Sequence, residues 1–188
     1  DAALIHDRYE EPDQLLDRVG SFLRRVGAPD AEVATLAHAA MPVRGLVDAV
    51  RPGVSERELA GRIELELVRR GAEGASFETI VASGPNSALP HAHAGDRVLR
   101  DGDLVVLDFG GVYGGYCVDL TRTVALGTPS AEAARVHGAV AEAQLAAIEA
   151  LAPGVAVAEE DQAARAVLAR HGLADRFVHG TGHGLGLE

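Results

Sequence analysis

Leu104-Val105-Val106-Leu107-Asp108-Phe109-Gly110-Gly111, followed closely by Asp119-Leu120-Thr121-Arg122-Thr123, is the stretch on which the fold turns. The unbroken apolar run predicts a buried strand over Leu104 to Phe109. Gly110-Gly111 and Gly114-Gly115 frame a chain reversal, and Tyr116 to Leu126 reads as the antiparallel partner strand. Two aspartates, Asp108 and Asp119, then stand on the two strands of one hairpin. Asp108 ends an apolar run, where an unpaired charge is costly. Two carboxylates brought together repel, and one is forced to stay protonated unless a cation lies between them. A pair of divalent metal ions resolves that conflict, because such cations accept carboxylate oxygen. Pairing with arginines such as Arg122 is the alternative that spacing alone leaves open.

Other candidates lie further out. His183 sits in Gly182-His183-Gly184-Leu185-Gly186. Flanking glycines let a backbone approach a ligand closely, and imidazole suits a borderline metal beside carboxylates. A plain loop histidine fits the same residues. His91 follows Ser83-Gly84-Pro85-Asn86-Ser87-Ala88-Leu89-Pro90, and His179 lies four residues before His183. Either can move a proton near neutral pH. Thr121 and Thr123 alternate with Asp119, so a regular strand points all three the same way, and the hydroxyls can orient metal ligands. His6, His38, His93, His137 and His171 read as helix faces, loops or helix ends.

Around this centre the pattern is mainly helical. Leu15, Leu16, Val19, Phe22, Leu23 and Val26 form one stripe over Pro12 to Val26, and a second helix is expected from about Asp30 to Met41, before Pro42. Ser55-Glu56-Arg57-Glu58 is a capping box opening a helix to about Arg70, closed by Gly71. A strand is predicted over Ser76 to Ala82, with turn residues at Gly84-Pro85-Asn86. Thr128-Pro129 reads as an N-cap with proline at the first helical position. The Ala-rich helix that follows runs to about Leu151 and stops at Pro153-Gly154. Another covers roughly Glu159 to Arg170 and ends at Gly172, and Phe177 to Glu188 is glycine-rich and extended. A weak repeat appears at an offset of about 101 positions, read as a structural pseudo-twofold. Pro52-Gly53-Val54 matches Pro153-Gly154-Val155, Glu58 matches Glu159, Arg69 matches Arg170 and Gly71 matches Gly172.

Bulk properties narrow the function classes. The 188 residues suit one domain, or one domain with a short extension. A net charge of −11 disfavours non-specific binding to nucleic acid or anionic membrane. No apolar run nears the roughly 20 residues that span a bilayer. The polar start, Asp1 to Glu10, has no apolar signal-peptide region, although without an initial methionine a leader can have been lost. One cysteine, Cys117, rules out an intrachain disulfide and fits a cytoplasmic location. Every basic residue is arginine, which reads as coding bias rather than function.

Taken together, three motifs resemble the Xaa-Pro peptidase branch (aminopeptidase P and prolidase) of the methionine-aminopeptidase/prolidase superfamily. They are Phe77 to His91, Leu107-Asp108-Phe109-Gly110-Gly111 continuing to Asp119–Thr123, and His179-Gly180-Thr181-Gly182-His183-Gly184-Leu185-Gly186-Leu187-Glu188. The resemblance covers roughly Asp30 to Glu188. It implies the α/β pita-bread fold with its pseudo-twofold, in agreement with the repeat. It also implies two divalent metals (manganese, cobalt, zinc or iron). Asp108 would be a bridging or bidentate ligand, Asp119 a ligand shared between the metals and His183 a ligand of one. His91 and His179 would orient substrate or shuttle protons. The family pattern continues with one more histidine and two glutamates. Glu188 precedes all three, so the domain, placed at 30–188 behind an extension at 1–29, is expected to be incomplete at its C-terminus. The implied activity is release of the first residue from a peptide with proline at the second position, in an enzyme that is often a homodimer. A methionine aminopeptidase, or a non-catalytic peptide- or protein-binding module of the same fold, is the alternative. The Ser83-Gly84-Pro85-Asn86-Ser87 segment favours the proline-specific branch.

Overall fold

The computed structural model describes residues 49–187. The helices expected over Pro12 to Val26 and Asp30 to Met41, and the extension at 1–29, lie outside the described residues. Helix α1 spans Glu56–Arg69. Strand β1 (Ile80–Ser83) and a 3-10 turn (Gly84–Ala88) lead into β2 (Leu104–Phe109). A two-residue hairpin follows, β3 (Val112–Tyr113) and β4 (Tyr116–Cys117), and then β5 (Leu120–Ala125). Helices α2 (Ala131–Ala150) and α3 (Val157–Arg170) come next, with a 3-10 turn at Ala174–Arg176. The chain divides into two compact units: one runs to Pro129 and takes in the chain from Leu185, and the other is Ser130–Gly184.

In the first unit, β1, β2 and β5 form an antiparallel sheet with β2 at its centre. Along β2 the buried residues are Val105, Leu107 and Phe109, whereas Leu104, Val106 and Asp108 are only partly covered. The strand is thus fully buried on one face, not both as its apolar run suggests, because an antiparallel sheet needs to close only one side. Helix α1 covers that side. Its buried residues Leu59, Ile63 and Leu67 recur at helical spacing and join Val81, Val105, Leu107, Phe109 and Leu126 in one core. Burying each such side chain stabilises the unit by about 1.5–3 kcal/mol.

Helix α1 starts where the capping box puts it. Ser55 Oγ accepts from Glu58 N at 3.1 Å, but the Glu58 carboxylate turns outward to Arg62 at 2.6 Å. Elsewhere three boundaries move. The first strand begins at Ile80 rather than Ser76, because Ser76 is drawn aside: its N–H donates to Gly110 O at 3.1 Å and its Oγ to Val118 O at 2.7 Å. The partner strand predicted from Tyr116 is interrupted at Val118-Asp119, and its first residues form the separate hairpin with Val112-Tyr113. Gly114 and Gly115 turn that hairpin, with φ of 59° and 82°. Finally, the N-cap of α2 is Ser130, not Thr128. Its Oγ accepts from Ala133 N at 3.1 Å, so the helix starts past Pro129.

The second unit is built on α2 against α3. Ala139, Ala143 and Ala147 of α2 form a stripe of small residues every fourth position. Ala143 and Ala147 pack with Ala164, Val167 and Leu168 of α3, with Phe177 at the margin. The segment after Phe177 holds no regular strand among the described residues. The repeat survives in the backbone: α1 and α3 lie 101 positions apart at both ends. Gly53 and Gly154 have φ of 90° and 86°, and Gly71 and Gly172 have 95° and 69°.

Candidate metal centre

Asp108 occupies the next-to-last position of β2, between Ile80 on β1 and Thr121 on β5. Thr121 Oγ1 donates to Asp108 Oδ1 at 2.7 Å, which holds one carboxylate oxygen and fixes the direction of the other. Asp119 lies just ahead of β5 and two positions before Thr121. In register, Asp108 stands opposite Thr121 and Phe109 opposite Leu120, so Asp119 enters the sheet next to the end of β2.

Gly110 makes this approach possible. A Cβ there would lie 1.8 Å from Val118 O and 2.3 Å from Ser76 Oγ. Only a residue without a side chain lets the backbone that carries Asp119 come so close to the end of β2. Val118 N also donates to Gly111 O at 3.0 Å, and Cys117 N donates to Gly186 O at 2.7 Å. The last glycine of the 182–186 motif is thereby tied to the strand just ahead of Asp119.

The histidines divide between the units. His91 is exposed in the turn that follows the 3-10 element, in the first unit. His179 and His183 belong to the second, and both are exposed. His183 Nδ1 lies 3.0 Å from Gly184 O, and His179 Nδ1 lies 2.8 Å from Gly180 O. A carbonyl oxygen can only accept, so Nδ1 is the donating nitrogen in both contacts. Helix α3 holds the backbone here. Arg165 donates to Phe177 O at 3.0 Å and to His179 O at 2.7 Å, and its guanidinium lies 4.7 Å from the Phe177 ring centre. Asp161 accepts from Thr181 N at 3.0 Å and Thr181 Oγ1 at 2.8 Å, and pairs with Arg165 at 2.6 Å. Arg165 first, and then Thr181, hold the Asp161 carboxyl below the usual aspartate range.

An aspartate with one oxygen already oriented by a hydroxyl, as Asp108 is, fits hard or borderline divalent ions in the chemistry of its donor. Among the described residues, however, no three His, Cys, Asp or Glu side chains gather closely enough to hold an ion.

Sequence reasoning missed one prominent group. Glu56, read only as part of a capping box, is fully buried and accepts hydrogen bonds from Ser83, Asn86 and Gly95. Its signal was present: Glu56 is in phase with Leu59, Ala60, Ile63 and Leu67, on the buried stripe of α1. Beside it, Arg97 pairs with Asp103 at 2.7 Å and also donates to Ser83 Oγ.

The chain belongs to metallopeptidase family M24, whose model matches residues 31–188. Within that family the chain stands in the Xaa-Pro peptidase branch and has the α/β pita-bread fold. It is 42% identical over 146 residues to the Xaa-Pro dipeptidase of Pyrococcus furiosus, covering 78% of this chain and 42% of that one. It is 45% identical over 166 residues to the probable dipeptidase PepE of Mycobacterium tuberculosis, covering 88% of this chain and 42% of that one. The solved Xaa-Pro dipeptidase from Bacillus anthracis superposes with a TM-score of 0.81 at 40% identity, over 89% of this chain and 48% of its own. The chain therefore spans about two-fifths of the length of these curated relatives. Among the described residues no helix is long and apolar enough to cross a membrane.

Proposed function

We propose that the protein carrying this chain is a dinuclear-metal hydrolase that releases the first residue from Xaa-Pro peptides or dipeptides. The observation that carries this reading is the Asp108 carboxylate, held by the Thr121 hydroxyl at the end of the central strand, with Asp119 two positions before Thr121. Asp108, Asp119 and His183 would hold the metals, with manganese, cobalt, zinc and iron all compatible with such donors. A bound divalent pair supplies Lewis acidity, activating water and polarising the scissile carbonyl. The chain's own residues do the rest. Thr121 keeps Asp108 oriented. His91 and His179 donate hydrogen bonds to the oxygen on which charge develops, or carry a proton to the leaving amine. Residues 30–188 form the pita-bread part of the catalytic domain, behind an extension at 1–29. A cytoplasmic location and a homodimeric state belong to the same reading. The single cysteine supports the first, and general experience with this fold supports the second.

The test is release of the first residue from Xaa-Pro substrates by the full-length protein, supplied in turn with manganese, cobalt and zinc. Metal-dependent turnover that Asp108→Asn abolishes is the expected result; inactivity with every metal overturns the reading. Preference for Met-Ala over Met-Pro would instead assign a methionine aminopeptidase.

The alternative within the same fold is a non-catalytic peptide- or protein-binding module. Calorimetry separates the two, because a binding module takes up no metal pair and keeps its partner affinity in Asp108→Ala.

A further inference from the structure

Among the described residues Glu56 is the only buried charged side chain. An isolated carboxylate in that position would be strongly destabilising. Glu56 escapes this because donors surround it. Its Oε1 accepts from Ser83 N at 2.8 Å, Ser83 Oγ at 2.7 Å and Asn86 Nδ2 at 3.1 Å. Its Oε2 accepts from Asn86 Nδ2 and from Gly95 N, both at 3.2 Å.

The positions of those donors matter more than their number. Ser83 and Asn86 precede His91, and Gly95 follows it. One carboxylate therefore closes, at its neck, the loop that carries His91. The backbone of the same helix start reinforces the closure: Glu56 N donates to Arg97 O and Arg57 N to Gly95 O, both at 2.9 Å. Burial pushes the Glu56 pKa up, but the bonds from Ser83, Asn86 and Gly95 outweigh it and keep the carboxyl ionised below its usual range. An ionised carboxylate has only acceptors to offer, which is what two converging backbone N–H groups require.

We propose that Glu56 is a positioning residue for His91, acting as the common acceptor that fixes both ends of the 83–95 loop. This rests on the reading that His91 meets the substrate. Glu56→Gln keeps the volume but replaces one acceptor with a donor, so Ser83 N or Gly95 N faces an N–H and one side of the neck opens. A misplacement near 1 Å in such a group costs up to about 100-fold in rate.

The experiment uses the full-length protein loaded with manganese. Glu56→Gln is expected to lower kcat for an Xaa-Pro peptide by about 10- to 100-fold. KM should stay within about threefold, and calorimetric manganese affinity should be unchanged. Amide hydrogen exchange should accelerate between residues 83 and 95 and not elsewhere. Asn86→Ala, which leaves the Ser83 and Gly95 bonds in place, should shift the same quantities less and covers the case in which Glu56→Gln does not fold. A folded Glu56→Gln with kcat within about twofold of wild type overturns the proposal. So does a uniform rise in exchange together with weaker manganese binding, the mark of a merely structural role. If the wild type cleaves no Xaa-Pro peptide, the hydrolase reading fails separately. The exchange measurement then decides alone: loosening confined to 83–95 upholds the loop-closing role, and its absence overturns it.

Discussion

Replacing Gly110 with alanine should damage this protein out of proportion to the single methyl group added. The new Cβ would stand 1.8 Å from Val118 O, 2.3 Å from Ser76 Oγ and 2.9 Å from Phe77 Cε1. A carbon–oxygen contact relaxes only near about 3.3 Å, so the Val118 carbonyl must retreat by about 1.5 Å. That movement breaks the bonds from Ser76 Oγ to Val118 O and from Val118 N to Gly111 O, and strains the one from Ser76 N to Gly110 O. Each broken bond is worth about 0.5–1.5 kcal/mol net, and overpacking adds about 1–3, so a loss of about 2–6 kcal/mol is expected. Gly111→Ala is the control. Its Cβ meets Tyr113 Cε2 at 3.0 Å and Ala72 Cβ at 3.1 Å, contacts that a shift of a few tenths of an ångström relieves, and the cost should stay within about 1–2 kcal/mol. Urea unfolding of the two variants in the full-length protein reads the difference directly. Because Asp119 follows Val118, Gly110→Ala should also weaken manganese uptake in calorimetry under conditions where it remains folded. The reasoning is refuted if Gly110→Ala unfolds within about 1 kcal/mol of wild type, or if Gly111→Ala proves the more damaging.

Thr121→Val removes the hydroxyl that holds Asp108 Oδ1 while keeping the branched shape, so the fold should persist and calorimetric metal affinity should fall about 10-fold or more; unchanged affinity would separate Asp108 from metal binding. Glu56 titrates below its unfolded value, so its contribution is complete above about pH 4.3 and is lost as pH falls through the lower folded value. Urea unfolding between pH 6 and pH 3 should therefore show a steeper loss for wild type than for Glu56→Gln, and parallel curves would contradict that sign. Arg165→Met should leave helix α3 in place but free the carbonyls of Phe177 and His179, which amide exchange at 177–181 would report as loosening confined to that segment.

What could be read from the sequence, and what could not, divides along the range of the interactions. The bounds of β2 and the ends of α1 and α3 follow from patterns a few residues wide, and they fall close to where local reading puts them. Ser76 to Thr79 reads as strand on the same grounds, yet Ser76 is claimed by Gly110 and Val118, more than thirty positions on, a contact with no local trace. Glu56 and Asp161 are a different case, because their signal is local, although Glu56 reads first as part of a capping box and Asp161 only as one residue of an expected helix. Each stands three residues ahead of a buried alanine or leucine on its helix, Glu56 before Leu59 and Asp161 before Ala164. A carboxylate in phase with an apolar stripe faces the unit's own chain rather than water, and it needs donors there. In both halves the donors come from the loop that follows: Ser83, Asn86 and Gly95 around His91 in one, Thr181 between His179 and His183 in the other. The 101-position offset does not superimpose the two acids, since it sets Val157 against Glu56. The halves thus share a helix and its glycine stops residue for residue, but they share the holding of a histidine loop only as a task, reached by a different side chain in each.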